Sequence, residues 1–252
     1  MLPVIQIGPL ALQVPGLVLL VGLWLGLNLA EKHSSRRGID PSLLSNLTLI
    51  AMLAGLVGSR LAYVARYPAA FAASPLSLIS LNPGLLDPLG GAAVALLAAL
   101  IYANRKQMPL LPTLDAITPL LAVMAVALGL THLASGDAFG RPTNLPVGIE
   151  LWGAKRHPTQ IYETLSALLI LWLYWPGRAR IQDWKAGTYF FAFAATSAGA
   201  QLFLEAFRAD SILLTNGFRQ AQLIAWVVIS FCLLALGWIN REQDNNAKEP
   251  QP

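Results

Sequence analysis

Gly136-Asp-Ala-Phe-Gly-Arg-Pro-Thr-Asn-Leu-Pro-Val-Gly-Ile149, followed closely by His157-Pro-Thr-Gln-Ile-Tyr-Glu163, is the stretch on which the reading of this chain turns. It is dense in charge, proline and glycine, yet an apolar run flanks it on each side. Charged and polar groups concentrated beside a bilayer are expensive, so they mark a functional site by default. Asp137, Arg141, His157, Tyr162 and Glu163 therefore form the first candidate cluster. His132, near the end of the preceding apolar run, joins it as a candidate base, with Asp137 as the neighbouring carboxylate that would orient its imidazole.

Outward from this stretch the chain is a membrane protein. Its 252 residues are 56% hydrophobic and only 12% charged, about half the charged share of a soluble domain, near 25%. A surface built from this composition faces lipid. A spanning helix needs about 20 mostly apolar residues, and seven candidates meet that pattern: 14–30, 43–64, 89–103, 113–133, 160–175, 187–204 and 221–239. The third and fifth are short and must recruit flanking residues. The fold class expected is an all-α integral membrane protein, with 1–240 as a single transmembrane domain and 241–252 as a disordered cytoplasmic tail.

Basic residues give the orientation. Short cytoplasmic loops carry excess Lys and Arg. With the N-terminus outside, the inner segments hold Lys32, Arg36, Arg37, Arg105, Lys106, Arg178, Arg180, Lys185, Arg241 and Lys248. The outer set is Arg60, Arg66, Arg141, Lys155, Arg156, Arg208 and Arg219. The expected topology is seven spans, N-out and C-in. The net charge of +4 is explained by this rule, and no nucleic-acid partner is expected. The N-terminus has no basic n-region and no small-residue cleavage site, so the first helix is read as uncleaved. Segment 68–88, broken by Asn82-Pro83-Gly84 and Asp87-Pro88, cannot span as a regular helix. It reads as an irregular outer element covering a cavity, since irregular backbone at membrane depth survives only against protein or water.

Further charges lie at helix ends. Arg60 is either a snorkelling interface residue or an anchor for a lipid phosphate, which its planar fork of donors would suit. Gly55, Gly58 and Ser59 permit close helix approach beside it. Glu205 and Arg208, three apart, share a helix face and can pair. Gly90-Gly91 allows a ligand or a neighbouring helix to come close. Asp115 reads as a carboxylate in the first turn of its own helix. Cys232 stands alone in an apolar run and acts as a small hydrophobe. The three histidines lack metal-ligand spacing, so neither a metal nor a cofactor is expected.

With these residues in hand, the chain resembles the bacterial prolipoprotein diacylglyceryl transferases. The matching elements run in order: Ile7-Gly-Pro-Leu-Ala-Leu12, Gly58-Ser-Arg-Leu-Ala-Tyr63, Gly90-Gly91, Gly136-Asp-Ala-Phe-Gly-Arg-Pro-Thr143, His157-Pro-Thr-Gln-Ile-Tyr-Glu163 and Leu204-Glu-Ala-Phe-Arg208. The resemblance implies a multi-pass protein of the bacterial inner membrane. It implies transfer of the diacylglyceryl group of phosphatidylglycerol, or a related phospholipid, to the thiol of a lipobox cysteine in a preprolipoprotein. The product is a thioether and glycerol phosphate leaves. Membrane lipids are thus both solvent and substrate. His132 and Asp137 are the expected catalytic residues. Arg60, Gly90, Gly91, Gly140, Arg141, His157, Tyr162, Glu163, Glu205 and Arg208 are the expected substrate-binding ones.

The chain also departs from the family pattern. Pro15 stands where the family has Tyr, Leu89 where it has His, and Gly129 where it has Arg. His132 and Ser135 replace two Asn residues, and Asp137 replaces Glu. Three readings follow: a divergent but working transferase, a catalytically inactive relative that binds lipid or a membrane partner, or a transferase with another lipid or acceptor.

Overall fold

The computed structural model describes residues 4–7, 10–73, 83–214 and 217–246. It is built from helices in the order α1 (Val14–Ser34), α2 (Pro41–Arg66), α3 (Pro68–Ala73), α4 (Pro88–Arg105), α5 (Leu110–Ser135), α6 (Thr159–Leu173), α7 (Ala179–Gln182), α8 (Thr188–Leu204) and α9 (Gln220–Asn246). Six of these, all but α3, α6 and α7, are long and apolar enough to cross a membrane. The seventh expected span, α6, is a shorter apolar helix of 15 residues. The helical positions follow the apolar runs of the sequence to within a few residues, except that α9 continues to Asn246, six residues past 240. Residues 247–252 of the expected tail lie outside the described residues.

Starts and stops have local causes. Asp40 caps α2 by accepting from the Ser42 N–H at 2.7 Å, and Asp87 caps α4 by accepting from the Gly90 N–H at 2.8 Å. Each cap is followed by a proline in the first turn, where its missing N–H costs nothing. Gly136 ends α5 at φ +87, and its N–H returns to the His132 carbonyl, a left-handed stop that glycine adopts freely.

The expectation of an all-helical chain needs one addition. Two short antiparallel hairpins are present, β1 (Val4–Ile7) with β2 (Leu10–Gln13), and β3 (Ile149–Leu151) with β4 (Ala154–Arg156). The second turns through Trp152 and Gly153, both at positive φ, the two-residue turn that matches strand twist.

α5 is the hub. On one side it packs along α1, where Gly22 and Gly26 admit Ala127 and Leu120 so closely that an added Cβ would meet them at 2.4 and 2.8 Å. A core of Ala30, Leu44, Leu47, Met108, Ala116 and Leu120 ties α1, α2 and α5 together. On its other side Ala122, Ile170 and Phe193 join α5 to α6 and α8. α9 packs on α8 through Phe191, Cys232 and Ile239. α4 packs on α2 along a seam of small residues: a Cβ on Gly58, Gly90 or Gly91 would strike Val94, Ala62 or Ser59. Gly90 and Gly91 thus serve close approach of a neighbouring helix, the second of the two uses open to them. Large apolar side chains such as Leu20, Trp24, Leu56, Leu61, Leu96, Trp172, Val227 and Leu234 cover the outside, which suits lipid and not water.

Of the irregular segment, α3, the 3-10 turn Pro83–Leu85 and the extended link to Asp87 are described; 74–82 lies outside the described residues. Arg60 holds the described part. It donates to the Leu85 carbonyl at 2.9 Å, and its guanidinium lies over the Phe71 ring at 5.7 Å.

Asp115 has a different role from the one its sequence position suggests. It is the sixth residue of α5 and caps another helix: its carboxylate accepts from the N–H groups of Gly187 and Phe190 at 2.9 Å each, at the start of α8. Arg37 lies 3.5 Å from it and donates to the carbonyls of Trp184 and Ile181 at 2.7 and 2.6 Å. Sequence reasoning could see the helix-start carboxylate but not which helix start it serves.

Candidate functional site

The other end of α5 carries the polar stretch. His132 and Asp115 are 17 positions apart, about 26 Å along a helix, so the two charged clusters sit at opposite ends of the bundle. The His157-Pro-Thr-Gln element does most of the local construction. Pro158 caps α6. Thr159 and Gln160, both buried, reach back across to the loop: the Thr159 hydroxyl donates to the Ala138 carbonyl, and the Gln160 amide donates to the Asp137 carbonyl at 3.0 Å. Ala138 is held at φ +55, a left-handed conformation unusual outside glycine, and these two bonds hold it there.

Three chain segments then lie side by side. Arg141 N–H donates to the Phe207 carbonyl at 2.9 Å, Ala209 N–H to Phe139 at 3.0 Å, and His157 N–H to Arg141 at 3.0 Å. Gly140 bridges Arg208, and a Cβ there would lie 2.2 Å from the His157 carbonyl oxygen. The sequence element containing Arg208 is thereby fixed against the Gly-Arg-Pro-Thr loop. His157 packs edge-on against Phe207, ring centres 5.3 Å apart, with Tyr162 completing the cluster. Its Nδ1 is buried without a hydrogen bond.

The charged groups sort as follows. His132 Nδ1 lies 2.8 Å from Glu163 Oε2, with the two side chains 21% and 16% exposed. The carboxylate that orients His132 is therefore Glu163, across the α5–α6 contact, and not Asp137. Asp137 is exposed, and its part in the described contacts is through its backbone. Arg141 is likewise exposed, its backbone pinned on both sides. Arg208 forks onto Asp210 with two hydrogen bonds of 3.0 Å and lies 3.8 Å from Glu205, which is only 2% exposed. The Glu205–Arg208 pairing read from spacing is present, but Asp210 is the closer partner. Burial works against the charge of Arg208; the hydrogen bonds to Asp210 and the charges of Asp210, Glu205 and Glu163 outweigh it and hold the guanidinium above its ordinary value. Glu163 thus pairs with His132 and also favours the charge of Arg208.

A cavity of ≈ 380 Å³ opens beside Arg208, lined by Leu89, Gln201, Glu205, Asp210, Ser211 and Gln220 among others. Leu89 is 78% exposed at the start of α4, so α4 and the α8–α9 turn face each other across this space. A second, more open cleft of ≈ 730 Å³ lies between the start of α1, the end of α5 and the β3–β4 hairpin, with Leu130, Leu133, Leu151, Trp152 and Ile161 among its walls. Gly129 points at neither. A Cβ on it would stand 2.6 Å from Thr164 Oγ1 and 3.0 Å from the Thr164 backbone, so it is the contact at which α6 crosses α5. Arg60, bound to Leu85 and Phe71, lies with the α2–α4 half.

Residues 3–238 match the family described as prolipoprotein diacylglyceryl transferase. The chain is 28% identical over 249 residues to the phosphatidylglycerol–prolipoprotein diacylglyceryl transferase of Synechococcus elongatus, covering 93% of this chain and 86% of that protein. It is 29% identical to the enzymes of that name from Trichormus variabilis (93% and 88% covered) and Clostridioides difficile (93% of each).

Proposed function

This chain belongs to the prolipoprotein diacylglyceryl transferase family, and from that premise we propose that it moves the diacylglyceryl group of phosphatidylglycerol onto a prolipoprotein cysteine. The observation that carries the proposal is the His132–Glu163 pair, whose carboxylate also favours the charge of Arg208. The pair supplies a base, and Arg208 supplies a cation on the wall of a cavity that Leu89 also lines, in a chain with Leu89 and Gly129 in place of the family's His and Arg.

Glu163 accepts a hydrogen bond from His132 Nδ1–H, which fixes the tautomer that leaves the Nε2 lone pair free to act. Nε2 takes the thiol proton of the acceptor cysteine, because the thiolate is the nucleophile. The sulfur attacks the glyceryl carbon that carries the phosphate. The C–S bond forms as the C–O bond breaks, and the electron pair leaves on the phosphate oxygen of glycerol phosphate. Cations near that oxygen stabilise the charge as it develops. The proton on His132 passes to the departing phosphate or to water. Arg208 and Arg141 hold the headgroup, with His157 and Tyr162 packed against Phe207 beneath them; Asp137 is an exposed rim residue of the loop. The apolar cleft beside the β3–β4 hairpin suits the acyl chains of a lipid or the apolar run ahead of the acceptor cysteine.

In this reading α6 is a seventh span, the N-terminus is outside, and the site faces the outer side of the bacterial inner membrane. The excess of Lys and Arg at the opposite helix ends supports that orientation.

The test is complementation. Expression in a bacterium depleted of its own transferase should restore the mobility shift of a reporter lipoprotein, and His132→Ala or Arg208→Ala should abolish it. A folded, membrane-inserted protein that gives no shift would sink the proposal in favour of a lipid-binding relative or another acceptor.

A further inference from the structure

Arg219 is the anomaly of this molecule. It stands immediately before α9 (Gln220–Asn246), its carbonyl accepting from Gln222 and Leu223. It is only 8% exposed. Its Nη1 is buried without a hydrogen bond, and among the described residues it enters no ion pair. A buried charge without a partner is among the costliest things a fold can hold. The location makes it worse, because the start of a 27-residue helix already carries positive potential from the helix dipole. Both costs have one remedy, a negative charge brought to the same place.

Arg219 lies just behind the wall of a cavity. Gln220 and Ala221, next in the chain, line the 380 Å³ cavity, and so does Ser211. Ser211 lies across the turn that ends at Arg219: Gln220 N–H donates to Ile212 at 3.0 Å, and Leu213 bridges Arg219. The Ser211 hydroxyl is itself buried and unpaired. Arg208, the other cation here, is already engaged by Asp210 and Glu205. Its charge is balanced before any ligand arrives, whereas that of Arg219 is not.

We propose that Arg219, with the Ser211 hydroxyl, binds the phosphodiester of an anionic phospholipid that enters the cavity between the start of α4 and the α8–α9 turn. This deepens the transferase reading and rests on it for the choice of lipid. It gives the chain a phosphate-holding cation at a position where no residue was expected from spacing, while Gly129 is committed to helix packing.

The test separates a ligand role from a structural one by stability rather than by turnover. The whole protein is purified in an uncharged detergent, and its thermal unfolding is followed without lipid, with phosphatidylglycerol, with phosphatidylcholine, and with free glycerol phosphate. Arg219→Met removes the unpaired charge but keeps the bulk. It should melt no lower than the parent without lipid, and it should lose most of the stabilisation given by phosphatidylglycerol. The apparent Kd should rise about tenfold or more, the usual loss for a charge-assisted hydrogen bond. Arg219→Lys should restore part of the shift, and Ser211→Ala should lose part of it.

A lower melting temperature for Arg219→Met without lipid, together with an undiminished phosphatidylglycerol shift, would overturn the proposal and make Arg219 a scaffold residue. Equal stabilisation of the parent by phosphatidylcholine would overturn the selectivity for an anionic lipid. Equal stabilisation by free glycerol phosphate would overturn the lipid assignment and give the site to the product. If the shift is as expected but complementation fails, the transferase reading falls and this site stands.

Discussion

Arginine meets carboxylate at both ends of α5, and the two meetings are built differently. At one end Arg37 and Asp115 are closed off: Asp115 accepts two backbone N–H bonds at the start of α8, and Arg37 gives two to carbonyls of the α7 region. At the other end Arg208, Asp210, Glu163 and His132 keep part of their surface open around the buried Glu205, with His157 Nδ1, Ser211 Oγ and Arg219 Nη1 left unpaired. A saturated charge network is finished by folding alone. An unsaturated one still has partners to find. The same residue types thus mark scaffold at one end and a site at the other, and the count of unmet hydrogen bonds separates them.

Breaking the saturated end should give the largest effect on stability. Asp115→Ala takes from Arg37 its carboxylate and leaves two helix-start N–H groups without partners, and should cost roughly 3–5 kcal/mol, the usual cost of halving a buried pair. Thermal unfolding in detergent reads it. A near-neutral result would show that the network is not the clamp its geometry describes.

The two positions where the family pattern has a base or a cation, Leu89 and Gly129, should respond unequally to restoring those groups. Gly129→Arg must push α6 off α5, and should destabilise by about 3 kcal/mol or more, beyond ordinary overpacking. Leu89→His, on an exposed side chain, should stay within about 0.5 kcal/mol. If Gly129→Arg folds normally and raises activity, the α5–α6 contact is not what fixes that glycine.

At the unsaturated end the effect should appear in rate and not in melting. His132→Ala should lower kcat by about 10²–10⁴, the range for loss of a general base, with little change in unfolding temperature. Glu163→Gln should lower it less, since the imidazole keeps a hydrogen-bonding partner. Equal losses in rate and stability would place His132 with the scaffold instead.

The smallest effect belongs to Asp40, outside both clusters. Its hydrogen bonds from Ser42 hold the carboxyl below its ordinary value. A depressed folded value means its contribution is complete above the ordinary carboxylate range and lost only as pH falls through the depressed value. Asp40→Asn should therefore flatten a slight loss of stability in acid and change little at neutral pH, measured as unfolding temperature against pH.

The helices were legible because a bilayer imposes length and apolarity on any segment, and both are written locally. Gly58 was legible as a point of close helix approach, whereas Gly90 and Gly91 were open to a ligand or a helix until the packing on Ala62 and Ser59 chose the helix. The pairings across helices were not legible. Asp137 is five residues from His132, yet Glu163, 31 away, holds the imidazole, because the positive-φ loop carries Asp137 out to the surface while α6 returns alongside α5. Arg219 left no signal at all: one arginine near a helix start looks like any other until its burial is known.

The brevity of α6 has a consequence of its own. At 15 residues it is about 22 Å long, against a hydrocarbon slab of about 30 Å. With α6 as a span wedged between α5 and α8, the two leaflets must draw together beside it, or Trp172, Trp175 and Arg178 must sink into the acyl region. The fold then carries a preference for thin bilayers at the very helix that holds Glu163. Turnover in reconstituted vesicles should fall as the acyl chains of the host lipid are lengthened, even when the substrate lipid is unchanged.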